Sequence, residues 1–189
     1  MEIAHDPIAP GHLLVATAEL GDPNFARTVV LMVDVDDEGA VGVVLNRPTG
    51  VRVGDVLESW RDGVVEPAVL FEGGPVRSEA ALAVGLLRDP ADVPVGFQAV
   101  HGRLGLLDLD TPRALVEGSL SGLRIFAGYA GWGAEQLADE IAEGSWHVVP
   151  ALREDVFRAS VDTLWSDVLR RQPGELAWQS TRPVDPRDN

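Results

Sequence analysis

Few side chains in this sequence have the means to make or break a bond, and their spacing limits what they can do. The four histidines, His5, His12, His101 and His147, form no H-x-H or HExxH arrangement, so no metal-ligand set follows from them. A general base would have to be assembled in three dimensions, and His101 and Glu140 are the catalytic candidates. Cysteine is absent, which removes disulfides, thiolate metal sites and thiol nucleophiles. All 15 basic residues are arginine, so the lysine of a P-loop, a Schiff base or an amine general base is absent too.

The run "DVDDEG" gathers Asp34, Asp36, Asp37, Glu38 and Gly39 and invites comparison with a calcium loop. Its first, third, fifth and glycine positions fit, but the bidentate acid required at position twelve falls on Leu45. A solvated acidic turn between strands is the expectation, and no metal site is assigned. "GSLSG" places Leu120 where a nucleophile elbow needs serine, and it follows a helix-like segment. "RIFAGYAGWGAEQLADEI" has its glycines, Gly128, Gly131 and Gly133, in the reverse order of a dinucleotide turn. Glu135 also puts negative charge where a pyrophosphate would sit. That stretch reads as a strand-to-helix corner carrying Tyr129 and Trp132, two amphipathic rings suited to core or pocket wall.

Two further constellations suit binding. Arg27 and the Asn46-Arg47-Pro48 run fall toward one end of an expected hairpin, where two guanidinium groups would hold an acidic group of ligand or protein. An internal salt bridge is the plainer use for them. The paired glycines Gly73 and Gly74 in "FEGGPV" permit backbone conformations closed to other residues and would offer amides to an anion, although Glu72 opposes one. The candidate pocket or interaction set is therefore Arg27, Asn46, Arg47, Gly73, Gly74, Tyr129 and Trp132.

These residues are carried by alternating strand-like and helix-like segments. "HLLVATA" over 12–18 reads as a first strand, and residues 28–46 as a hairpin. Val53, Val56, Leu57 and Trp60 recur at helical spacing. "AVLFEGGPV" follows as strand and turn, while "SEAALAVGLL" has helical propensity but a length that suits a buried strand. "FQAVHGRLGLLDLD" reads as one or two strands, then Thr111 and Pro112 as the start of a brief helix. "LRIFAG" is strand-like and "AEQLADEIAEG" helical. Val161, Leu164, Trp165, Val168 and Leu169 make an apolar stripe with Ser160 as its expected cap.

At 189 residues the chain suits one domain, and 46% hydrophobic with 24% charged residues is ordinary for a folded one. The formal net charge of -15 repels phosphate backbones and anionic lipids, and Arg170-Arg171 is the only adjacent basic pair. Direct nucleic-acid binding is disfavoured on that ground. No secretory leader or apolar run of membrane-spanning length is visible, so a cytoplasmic protein without membrane insertion is expected.

"GHLLVATAELGDPNFARTVVLM", "GAVGVVLNRP", "FEGGPV", "GYAGWGAEQLADEIAEGSW" and "VFRASVDTLWSDVL", in this order and spacing, resemble the YqgE/AlgH family of bacterial proteins across residues 10–172. The resemblance implies a compact single α+β domain, with mixed, largely antiparallel sheet and surrounding short helices. It also implies a strand over residues 81–87 against their local propensity. Residues 1–9 are expected to be a flexible N-terminus and 173–189 a loose tail. Some members are described as regulators of alginate synthesis or transcription, but the family brings neither a recognised DNA-binding motif nor an assigned catalytic residue. This chain departs from many members in having Val35 and Gly85 where they carry histidines. The function expected is a non-catalytic regulatory or interaction protein with a protein or small-molecule partner and no cofactor. The alternatives are a hydrolase or transferase built from Arg27, Asn46, His101 and Glu140, or a transcription-related regulator that does not itself bind DNA strongly.

Overall fold

The computed structural model describes residues 8–183. The β-branched runs near the N-terminus form β1 (His12–Ala16), β2 (Val29–Asp36) and β3 (Gly39–Val44), the last two being the expected hairpin. After β4 (Pro48–Arg52) come a helical turn α1 (Val53–Val56), a 3-10 turn over Glu58–Trp60 and β5 (Val69–Glu72). The remaining strands are β6 (Val76–Leu87), β7 (Phe97–His101), β8 (Leu104–Leu107), β9 (Leu120–Gly133) and β10 (Trp146–Pro150). Four more short helices are α2 (Gln136–Ala142), α3 (Arg153–Phe157), α4 (Leu164–Arg170) and α5 (Glu175–Gln179).

The strands join in the order β10-β1-β2-β3-β9-β6-β8-β7, with β4 and β5 branching from β9. Every pairing is antiparallel except that of β5 with β9. This is the mixed, largely antiparallel α+β architecture expected. The 14-residue β9 links the two halves of the sheet: Ala130–Gly133 pair with β3, whereas Leu120 and Gly122–Ala127 pair with β6.

Strand alternation sorts the apolar side chains into three layers. Leu13, Val15, Leu31 and Val43 point to one face, where they meet Phe71, Val84 and Phe126 of the other half and Leu164, Trp165 and Val168 of α4. Their neighbours Leu14, Val30, Met32 and Val44 point the opposite way, under Leu137 of α2. Ala83, Leu87, Leu123 and Ile125 form a third cluster with Val53 and Trp60. The curled sheet thus wraps the main core, to which α3 and α4 contribute, while α2 and α1 pack with the other two clusters.

Several local expectations need correction. Thr111 and Pro112 start no α-helix, only a 3-10 turn over Arg113–Leu115 with no side-chain cap, and Leu115 stands exposed. Ser160 does not cap α4, which begins at Leu164; there Thr163 and Arg158 grip Asp167 instead. The corner expected at Tyr129 and Trp132 comes later, because β9 runs straight through both to Gly133. Residues 76–87 are one strand, as the family resemblance implied for 81–87, since pairing with β8 and β9 outweighs local helical propensity. Helix α5 occupies part of the tail expected to be loose. The first seven residues of the expected flexible N-terminus lie outside the described residues.

Candidate functional site

Arg27, Asn46 and Arg47 are brought to one end of the β2-β3 hairpin. Asn46 extends the hairpin ladder with its side chain: Oδ1 accepts the Val29 N–H at 3.0 Å, and Nδ2 donates to the Arg27 carbonyl at 2.9 Å. Arg47 donates to the carbonyls of Asn24 and Pro23 at 2.6 and 2.9 Å, fixing the turn before β2. Arg27 lies over the Trp165 ring, 4.4 Å from its centroid, and its Nη2 donates to the carbonyls of Arg182 and Pro183. Among the described residues neither arginine is ion-paired. The salt bridge offered as their plainer use is replaced by backbone carbonyls as acceptors.

Gly73 and Gly74 sit where β5 runs beside β9. A Cβ on Gly73 would lie 2.2 Å from the Gly128 carbonyl oxygen, and one on Gly74 would lie 2.3 Å from the Tyr129 backbone. The Gly73 amide donates to Ala127 and its carbonyl accepts from Val44, so this peptide bridges both halves of the sheet. Close backbone approach explains the glycine pair.

Tyr129 and Trp132 face different surroundings. Trp132 is buried and forms an aromatic trio with Phe25 and Trp146, with ring centroids 5.5–6.0 Å apart. Glu140 holds the trio together: Oε2 accepts both indole N–H groups, from Trp132 at 2.9 Å and Trp146 at 2.8 Å, and Oε1 accepts from Gln136 at 3.0 Å. His101 is exposed on β7, against Gly11. Gly11 precedes β1, whereas Trp146 pairs with Ala16 at the other end of that strand. The four residue steps of β1 alone, about 13 Å at the strand rise, lie between them, so His101 and the Glu140 clamp are at opposite ends of that strand.

Tyr129 is half-buried, and its hydroxyl makes no hydrogen bond to the described residues. It lines a groove of about 380 Å³ with Asp34, Asp36, Glu38, Val76, Gly131 and Trp132. Pairing of Ala40 with Trp132 and of Val41 with Gly131 draws the acidic turn alongside β9. Asp36 Oδ1 accepts the amides of Glu38 at 2.8 Å and Gly39 at 3.0 Å, which fixes the turn. Among the described residues no group of three or more His, Cys, Asp or Glu is placed to hold a metal ion. The sequence drew attention to this turn for calcium; its meeting with Tyr129 follows from cross-strand register, which spacing does not reveal. Arg27, Asn46, Arg47, Gly73 and Gly74 are not among the residues lining this groove.

Arg124 escaped the sequence reading. It is 1% exposed, stacked on Phe71 at 4.3 Å, and donates to the carbonyls of Val156 and Glu66 at 2.8 Å and of Arg158 at 3.0 Å. Burial lowers its pKa to about 10, which leaves it charged at neutral pH. Its signal in the sequence is an arginine on the same strand face as Phe126, between Leu123 and Ile125, which face the third cluster. The adjacent basic pair is engaged as well, Arg170 with Asp167 and Arg171 with Asp155.

A curled, largely antiparallel α+β domain with an acid-edged groove and structurally committed arginines is thereby defined. The chain belongs to the AlgH-like family (DUF179), whose model matches residues 13–177. It is 53% identical over 182 residues to a UPF0301 protein of Streptomyces avermitilis, covering 95% of this chain and 94% of the relative. A UPF0301 protein of Mycobacterium tuberculosis is 41% identical over 194 residues, covering 97% and 96%. The crystal structure of a Corynebacterium diphtheriae protein superposes with a TM-score of 0.90 at 35% identity, covering 96% of this chain and 95% of that one. The solution structure of AlgH from Pseudomonas aeruginosa gives 0.69 at 26% identity, covering 97% and 98%. No helix among the described residues is long and apolar enough to cross a membrane.

Proposed function

We propose that this protein acts by binding a partner and not by turning over a substrate, and that the groove beside Tyr129 receives a cationic segment of that partner. The observation that carries this reading is the meeting of Asp34, Asp36 and Glu38 with a phenol in one concavity. Carboxylates supply Coulomb attraction for an ammonium or guanidinium group, and the Tyr129 ring supplies a π face. The chain's net charge of -15 adds long-range steering toward a basic partner. The polar groups a hydrolase or transferase would use have other duties: Glu140 clamps two indoles, and Asn46 splices a hairpin.

Calorimetric titration with a short arginine-rich peptide tests the reading, with an acidic peptide of equal length as control. The basic peptide is expected to bind, and the Asp34→Asn/Glu38→Gln variant to bind it at least about tenfold more weakly, a loss of about 1.4 kcal/mol. Equal affinity in the variant would remove the groove from the account.

A further inference from the structure

The end of the described chain lies on Arg27. Nη2 of Arg27 donates to two successive carbonyls, Arg182 at 2.7 Å and Pro183 at 2.6 Å, while the guanidinium rests on Trp165. The ring beneath it is fixed, because Trp165 is buried and its Nε1 donates to the Ala16 carbonyl at 2.8 Å. Asn46 holds the Arg27 backbone from the other side. Both the cation and its platform are therefore positioned before anything reaches them.

What covers Arg27 is held weakly by comparison. Helix α5 buries none of its residues, and its Trp178 is 80% exposed. Arg182 and Pro183 are themselves exposed. Their tethers are the Arg182–Glu19 ion pair and, one turn earlier, the contact of Gln179 Oε1 with His147 Nε2 at 3.0 Å. Exposed ion pairs add little and are screened by salt. Segments with few buried contacts open at low cost.

We propose that residues 182–183 form a displaceable strap over an anion site made by Arg27 on Trp165, and that a carboxylate or phosphate group takes the place of the two carbonyls when the strap lifts. A neutral carbonyl is the weaker acceptor for a guanidinium. An anionic oxygen adds Coulomb attraction to a bond the guanidinium already charge-assists, and the arginine fork matches two such oxygens at once. The excess of carboxylates on the chain opposes an arriving anion, so the site favours a group delivered at high local concentration. This site is separate from the groove beside Tyr129, whose lining does not include Arg27.

The experiment uses the full chain, 15N-labelled, and follows the Arg27 side-chain Nε–Hε signal during titration with inorganic phosphate and, separately, acetate at constant ionic strength. Arg182→Ala is the informative variant, because it removes a positive charge and loosens the strap together. If charge alone mattered it would weaken anion binding; the strap predicts tighter binding, by up to about fivefold from loss of one exposed ion pair. Gln179→Ala should shift affinity in the same direction, and Arg27→Lys should lose most of it. A response to phosphate and not acetate, or the reverse, identifies which anion the site prefers. Equal or weaker binding by Arg182→Ala, or an Arg27 signal unmoved by both anions in every protein, would overturn the proposal.

Discussion

Glu140 accepts hydrogen bonds from two indoles and an amide, so its charge and shape both matter to the packing of Trp132, Trp146 and Phe25. Glutamine at that position is nearly isosteric but turns one acceptor into a donor, which must face another donor. Glu140→Gln is expected to cost about 1–3 kcal/mol, lowering the thermal midpoint by about 2–4 °C for each kcal/mol. Calorimetric melting checks it, and an unchanged midpoint would mean the clamp adds nothing to stability. Arg124 belongs to the same scale: no carboxylate neutralises it among the described residues; three carbonyls take its Nη groups and a phenyl ring lies against it, while its buried Nε has no partner. In both cases a residue type that suggests chemistry serves the fold.

At the scale of elements, the junction of β5 with β9 depends on absent side chains. Gly73→Ala would drive a methyl group into the Gly128 carbonyl, and backbone cannot move aside as a flexible side chain can. A loss of about 3 kcal/mol or more is expected. Urea unfolding would measure it, and a loss under about 1 kcal/mol would show that the strands separate easily. Helix α4 starts at a clasp in which Asp167 accepts from the Thr163 hydroxyl and pairs with Arg158 and Arg170. The Thr163 bond first, then Arg158 and Arg170, hold the Asp167 pKa below its usual value. A carboxyl whose folded pKa is depressed adds stability above its unfolded pKa, near 3.9, and loses it as pH falls through the folded value. The stability gap between the parent and Asp167→Asn should therefore be largest near pH 6, at about 1 kcal/mol for a half-exposed pair, and should close below about pH 4. A gap independent of pH would assign the effect to packing.

The same elements show what was legible in the sequence and why. The β2-β3 hairpin is local, with β-branched runs on either side of an acidic turn, and pattern alone finds it. Strand β6 is not local: its alanines and leucines favour helix until β8 and β9 pair with both its edges, its length leaves the choice open, and family resemblance decides for a strand. The Thr111-Pro112 start signal is chemically sound, yet the segment has too little apolar surface facing the core to extend beyond one turn. Arg27 and Arg47 were placed correctly at one hairpin end, but their acceptors are backbone carbonyls, and these leave no mark in residue type.

Across the whole molecule, a curled sheet encloses a core that buries more than half of the aromatics and, among the described arginines, Arg124 alone, while carboxylates outnumber arginines in the chain. The acidic turn matters because register sets it beside Tyr129 on the longest strand, an adjacency of residues about ninety positions apart. That geometry makes the proposed binding role local and testable. The most direct measurement is amide mapping by NMR of the 15N-labelled chain titrated with an arginine-rich peptide at low and at physiological salt. The account predicts shifts centred on Gly39, Val41, Tyr129 and Gly131 that weaken as salt rises and vanish in Asp34→Asn/Glu38→Gln. Shifts centred elsewhere, or shifts at those amides that survive the double substitution, would contradict it.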